Sequence, residues 1–189
     1  SKQIEGLDCD KINVYINSYG GEVKEGLAIY NQLKRHKATV KTVCDGFACS
    51  AASVVFMAGD ERVMSTASLL MIHNAWSWTS GNANELRKQA DDLDKITQAS
   101  INAYMQEVNI TEEELKQMLD NETWITPQEA LEMGFSTAIV NEKEAEEVSQ
   151  SVKKSLMKLI LNAKKDDDDN KDGDNDDNND DNNDDNDKD

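Results

Sequence analysis

Gly46-Phe47-Ala48-Cys49-Ser50-Ala51-Ala52-Ser53 joins two segments of different character. Ahead of it, Ala38-Thr39-Val40-Lys41-Thr42-Val43-Cys44 is apolar and β-branched, the composition of a strand. From Ser50 to Ala58 small and apolar residues follow one another with helical character, so Ser50 falls where a strand turns into a helix. At the first turn of a helix the backbone N–H groups lack intrahelical partners, and the macrodipole places about half a positive charge there. An oxyanion forming beside Ser50 would be stabilised by both. The same unpaired donors make serine a good helix N-cap, and a serine without a base is no nucleophile. The rest of the chain has to separate these two readings.

Upstream, Ile12, Val14 and Ile16 alternate with more polar neighbours between Lys11 and Asn17, the period of a strand. Ser18-Tyr19-Gly20-Gly21 then demands a turn. From Glu22 the period becomes helical, with Val23, Leu27, Tyr30 and Leu33 on one face. Gly20-Gly21 thus joins a strand to a helix, where glycine admits positive φ or a close approach and free N–H groups suit a polarised carbonyl. Taken alone, a Gly-Gly pair is simply a turn.

Downstream, Ala58-Gly59-Asp60 closes the second helix with a glycine C-cap, and short strands follow at Arg62 to Met64 and Leu69 to Ile72, the latter running into His73. Asn74 to Gly81 is a loop. Asn84 to Glu107 is the longest periodic segment, an amphipathic helix suited to an interface between like subunits. Thr111-x-x-Glu114 and Thr126-Pro127-Gln128-Glu129 open two more helices, the second with proline at its first position and an end near Gly134. Phe135 to Val140 reads as a terminal strand. This alternation predicts an α/β domain with helices packed on sheet.

A chain of 189 residues is long enough for one domain with a sizeable core. Its net charge of -18 is concentrated at the end: Asp166 to Asp189 carry 14 Asp against 2 Lys, leaving -6 for the rest. Without a basic patch, neither nucleic acid nor an anionic membrane is the expected partner. No apolar run approaches the ~20 residues that cross a bilayer, and no signal-peptide pattern opens the sequence, so a soluble, cytoplasmic protein is expected. Cys9, Cys44 and Cys49 lack metal-ligand spacing and read as reduced thiols. The segment 142–165 reads as a helix or linker, and 166–189 as a disordered, solvated tail. Within that tail Asp168-x-Asn170-x-Asp172-Gly173 begins like a calcium loop, but Asn179 stands where a bidentate glutamate is needed, so no metal is expected.

Of the two histidines, His36 lies in Lys34-Arg35-His36-Lys37 at a helix end and is assigned no chemistry. His73 ends an apolar run, where a side chain emerges from a sheet edge. A lone histidine after a strand is more often structural than catalytic; its joint occurrence with Ser50 and Gly20-Gly21 is what makes it a candidate base.

Ile16-Asn17-Ser18-Tyr19-Gly20-Gly21-Glu22-Val23, Gly26-Leu27-Ala28-Ile29-Tyr30, the Gly46 to Ser53 stretch, Met71-Ile72-His73-Asn74, and Glu122-Thr123-Trp124-Ile125-Thr126 through Glu129-Ala130 to Gly134-Phe135 follow one another from roughly Cys9 to Val140. In order and spacing the chain resembles the Clp protease proteolytic subunit family, especially its phage and prophage branch. The resemblance implies an α/β spiral of ββα units, shared with crotonase-type enzymes, with a protruding handle helix, in a catalytic domain over residues 1–141. It implies a serine endopeptidase in which Ser50 is the nucleophile, His73 the general base, and Gly21 and Ala51 the backbone donors of the oxyanion hole. The third triad position falls on Glu122, where the family has aspartate, with Asp120 as the alternative; Ser53 is a competing nucleophile. A polypeptide substrate, homo-oligomeric heptameric rings, and a Clp ATPase or phage capsid proteins as partners are also implied, with no cofactor.

Departures from the family pattern matter. Tyr19, Glu22 and Ala51-Ala52 stand where the main family has proline, serine and Met-Gly, and these choices resemble the phage branch, associated with processing of capsid or scaffold proteins. The resemblance places the family's opening strand and axial loop, which help engage the ATPase, ahead of Ser1. No phosphate-binding loop occurs, so ATP hydrolysis by this chain is not expected. Two alternatives stand beside the protease: an assembly protein of the same fold with an impaired triad, motivated by Glu122, and a crotonase-type thioester enzyme, against which Ser50 and His73 count.

Overall fold

In the computed structural model, which describes residues 2–140, strand β2 (Thr39–Cys49) has three neighbours. Along one edge runs β1 (Lys11–Ser18), parallel from Lys11↔Thr39 to Ser18↔Ala48. The other edge is shared: β3 (Glu61–Ser65) pairs with Lys41 to Cys44, and β4 (Leu69–Ile72) with Phe47 to Cys49, both parallel. Between them Asp45 is exposed and Gly46 lies against Asn17, whose side chain accepts from Phe47 N–H at 3.2 Å where β1 shifts register. A Cβ on Gly46 would lie 2.7 Å from Asn17 Oδ1, so a larger residue there would have to displace the Asn17 side chain from its bond to Phe47 N–H. β5 (Thr123–Ile125) closes the β4 side antiparallel, and β6 (Ala138–Val140) the β3 side in parallel.

The helices are the single turn α1 (Lys2–Glu5), then α2 (Val23–Arg35), α3 (Ala51–Phe56), α4 (Ala83–Tyr104), α5 (Glu112–Asp120) and α6 (Pro127–Glu132). Reciprocal capping boxes start α5 at Thr111/Glu114 and α6 at Thr126/Glu129, as the spacing predicts. The core joins Tyr30 and Leu33 of α2, Phe56 and Met57 at the end of α3, Val40, Cys44 and Ala48 of β2, and Leu115 and Leu119 of α5. Burial pushes the Cys44 thiol up to about 11, so it stays protonated, and all three cysteines are free. Tyr30, at the centre of the α2 face, is only 8% exposed. The 22-residue α4, roughly 33 Å long at 1.5 Å per residue, buries only Ile101, Ala103 and Tyr104 at its last turn. Leu86 and Ile96 on its free length are exposed. This is the curled α/β architecture with a handle helix that the resemblance implies.

Local readings needed correction in three places. β2 continues five residues past Cys44, because β4 extends its ladder after β3 ends, and the turn is compressed into Ser50. Gly59 does not take the left-handed conformation of a C-cap; a side chain there would strike Thr42 Oγ1 and lie 2.7 Å from Glu61 O, so close approach is what requires glycine. The terminal strand begins at Ala138 rather than Phe135, since Phe135 is core and Ser136 and Thr137 bond to Ala130 O and Arg62 O instead. β5 has no counterpart in the sequence reading; three residues are too few to display a period. The proposed linker and tail, 142–165 and 166–189, lie outside the described residues.

A buried cation ties these pieces together. Arg62 on β3, 5% exposed, donates to Phe135 O and Gly59 O at 2.9 Å each, to Gly134 O at 3.3 Å and to Glu107 Oε2 at 2.7 Å. The other Glu107 oxygen holds Lys34 Nζ at 2.6 Å.

Candidate active site

Ser50 N–H donates to Met71 O at 2.8 Å, which carries the β2–β4 ladder one step beyond the strand. The residue itself has φ 55 and ψ -128, and α3 starts at once with Ala51. A side chain held in that region costs about 1–3 kcal/mol, and persists only where the surroundings over-determine it. Such a sharp strand-to-helix turn lifts the serine hydroxyl out of the sheet. His73, one residue past β4, is brought to it by the same pairing: Nε2 lies 2.8 Å from Ser50 Oγ. When Ser50 donates across this bond, the imidazole carries its proton on Nδ1.

Ala51 opens α3 and Gly21 lies in the turn before α2; among the described residues neither N–H has an acceptor. Gly20, at φ +98, packs so tightly on the serine turn that a Cβ would lie 2.6 Å from Cys49 O, 2.8 Å from Ser50 Cβ and 3.1 Å from Ala51 N. Glycine is required here both for its φ and for the approach. A cavity of about 340 Å³ opens alongside, with Ile16, Ile29 and Val55 as apolar walls and Gly20, Gly21 and Ala51 as backbone walls.

The carboxylates are arranged less simply. In the β4–β5 ladder Leu70 faces Ile125, Met71 faces Trp124 and Ile72 faces Thr123; His73 follows the last pair on one strand and Glu122 precedes it on the other. Glu122 has φ 49, and among the described residues it and Ser50 are the two non-glycine positions with positive φ. Its side chain is exposed and has no hydrogen-bond partner among the described residues, and no carboxylate bonds the His73 ring. Asp120 Oδ1 instead accepts from Asn74 Nδ2 at 2.8 Å, next door to the histidine.

Ser53 is 1% exposed and bonded to Ser50 O at 2.6 Å and to the Tyr104 hydroxyl at 2.7 Å, so substrate cannot reach it. His36 caps α2: its Nδ1 accepts from Ala38 N–H at 3.0 Å, which leaves Nε2–H to donate to Leu7 O at 3.2 Å. Sequence reading missed Tyr104, whose place at the end of an amphipathic helix marks only a core residue. It also missed a row of edge-to-face aromatics, Tyr19 on Phe47 at 5.6 Å and Phe47 on Trp124 at 5.5 Å, which links the glycine turn to the strand after Glu122. Among the described residues no cluster of three or more His, Cys, Asp or Glu side chains is placed to hold a metal ion.

A curled α/β domain carries a serine–histidine pair at a strained strand-to-helix turn, with two N–H groups in the neighbouring turns that lack acceptors among the described residues, an arrangement able to support acyl transfer. The chain belongs to the Clp protease family, whose model matches residues 5–143. It is 34% identical over 134 residues to the ATP-dependent Clp protease proteolytic subunit of Deinococcus radiodurans, covering 70% of this chain and 66% of that one. It is 31% identical to the subunit of the same name from Borreliella afzelii, covering 70% of this chain and 68% of the relative. A proteolytic subunit 1 from Borreliella burgdorferi is 30% identical over 140 residues.

Proposed function

We propose that this chain is a serine endopeptidase of the Clp type. The observation that carries the reading is the 2.8 Å contact of His73 Nε2 with the hydroxyl of a strained Ser50. Ser50 Oγ attacks the scissile carbonyl carbon as its proton passes to His73 Nε2. The resulting oxyanion takes the N–H groups of Ala51 and Gly21, and His73 returns the proton to the leaving amine. Water then repeats the sequence on the acyl-enzyme. An extended polypeptide suits the cavity beside Gly20-Gly21, since main-chain pairing there is indifferent to sequence. Assembly into rings through the exposed face of α4, a Clp ATPase partner, and capsid or scaffold proteins as substrates are the narrower parts of the same proposal.

Labelling with a fluorophosphonate, located by mass spectrometry, tests it. Modification of Ser50 that disappears in His73→Ala is the expected result. An unmodified Ser50 in a well-folded chain favours the second reading, an assembly protein of the same fold, which the Glu122 side chain, without a partner among the described residues, supports. Thioester turnover surviving Ser50→Ala would point instead to crotonase-type chemistry.

The acid is open to a direct comparison. Glu122→Gln is expected to lower kcat by up to about 10⁴-fold, the loss that follows when the acid of a triad becomes its amide, and Asp120→Asn to leave it nearly unchanged. The opposite ranking in steady-state hydrolysis transfers the role to Asp120.

A further inference from the structure

Ser53 and Tyr104 are buried hydroxyl residues that the acyl-transfer reading leaves unused, 1% and 2% exposed. Ser53 Oγ lies 2.6 Å from Ser50 O and 2.7 Å from Tyr104 Oη. A carbonyl only accepts, so the Ser53 proton goes to Ser50 O, and Ser53 Oγ in turn accepts the Tyr104 proton. The chain therefore runs in one direction, from Tyr104 O–H through Ser53 O–H to Ser50 C=O. Burial holds the Tyr104 phenol well above its ordinary value, which keeps it a donor at neutral pH. Phe135, edge-on at 5.9 Å, packs against its ring.

The far end of this chain is the Ser50–Ala51 peptide. In a planar trans peptide the C=O and N–H point in opposite directions, so drawing Ser50 O inward onto Ser53 aims Ala51 N–H outward. Ser50 O also accepts from Ser53 N–H at 2.9 Å and Val54 N–H at 3.4 Å, bonds that any helix start supplies. The two hydroxyls are an addition that a helix start does not itself supply. Hydrogen bonds in series polarise one another, so donors on the carbonyl strengthen the N–H of the same amide. We propose that Tyr104 and Ser53 are positioning residues that orient and polarise the Ser50–Ala51 peptide as an oxyanion donor. This rests on the reading of Ser50 as the nucleophile; neither residue touches the substrate.

The test compares the full chain with its Tyr104→Phe, Ser53→Ala and doubly substituted variants, using fluorophosphonate labelling and a fluorogenic peptide. Tyr104→Phe keeps the ring and its packing and removes one hydroxyl. Because deleting a whole oxyanion donor costs 10²–10³ in kcat, weakening one is expected to cost on the order of tenfold, with KM unchanged. The double variant should lose nothing beyond Ser53→Ala, since the hydroxyls act in series. The Ala51 amide proton should move upfield in Tyr104→Phe, and this signal decides the matter if Ser53→Ala does not fold. Unchanged kcat, a rise in KM alone, or losses that multiply in the double variant overturn the relay while wild-type labelling leaves Ser50 in its role. A wild-type chain that does not label at Ser50 overturns both.

Discussion

Ser50→Ala is expected to lower kcat for peptide hydrolysis by about 10⁶-fold, the loss that follows removal of a nucleophile from a serine protease triad. What remains should match the chain without His73, because the pair acts as one unit and the two losses do not add. The strain at the same residue gives a second, independent readout. Alanine at position 50 keeps the cost of φ 55, whereas glycine adopts that conformation freely, and both lose the bond to His73. Ser50→Gly is therefore expected to be about 1 kcal/mol more stable than Ser50→Ala in urea denaturation, with both inactive. Equal stabilities would mean that the turn stores no strain.

The second large effect lies away from the site. Arg62→Met keeps the length of the side chain but strips donors from the carbonyls of Phe135, Gly59 and Gly134 and removes one of the two cations that hold Glu107, leaving Lys34. Breaking a buried, hydrogen-bonded pair from one side costs about 3–5 kcal/mol, a large share of the roughly 5–15 kcal/mol that holds a domain folded. The midpoint of denaturation should fall accordingly. Lys11→Ala, which breaks a pair with Glu61 whose side chains are both 47% exposed, should change stability by at most about 1 kcal/mol. A loss below 1 kcal/mol for Arg62→Met would show that solvent replaces the network.

Much of this fold was legible because its signals are local. The period of β1, the face of α2, the capping boxes at Thr111 and Thr126 and the left-handed Gly134 each depend on residues within a turn or two of one another. Motifs in family order carried the identity of the domain, and they singled out Ser50 and His73 although 23 residues separate them. The same local view ended β2 too early, because a ladder that passes from β3 to β4 is a property of two other strands. It also gave Gly59 the wrong reason and could not see β5 at all.

Residue type and order thus determine where the chain turns, which helices start where, and which serine and histidine are candidates. The distance between those two comes only from the parallel pairing of β4 with β2, a long-range register that sets His73 Nε2 2.8 Å from Ser50 Oγ. Burial, likewise a property of the whole fold, removes Ser53 from the list of nucleophiles and ties it to Tyr104. At the acid, chain order and side-chain contact part company: Glu122 directly precedes the strand that pairs with β4, while the bonded carboxylate beside the histidine is Asp120, held by Asn74. Motif spacing puts Glu122 first, but which carboxylate meets the histidine depends on side-chain rotamers at an exposed sheet edge, which spacing does not specify.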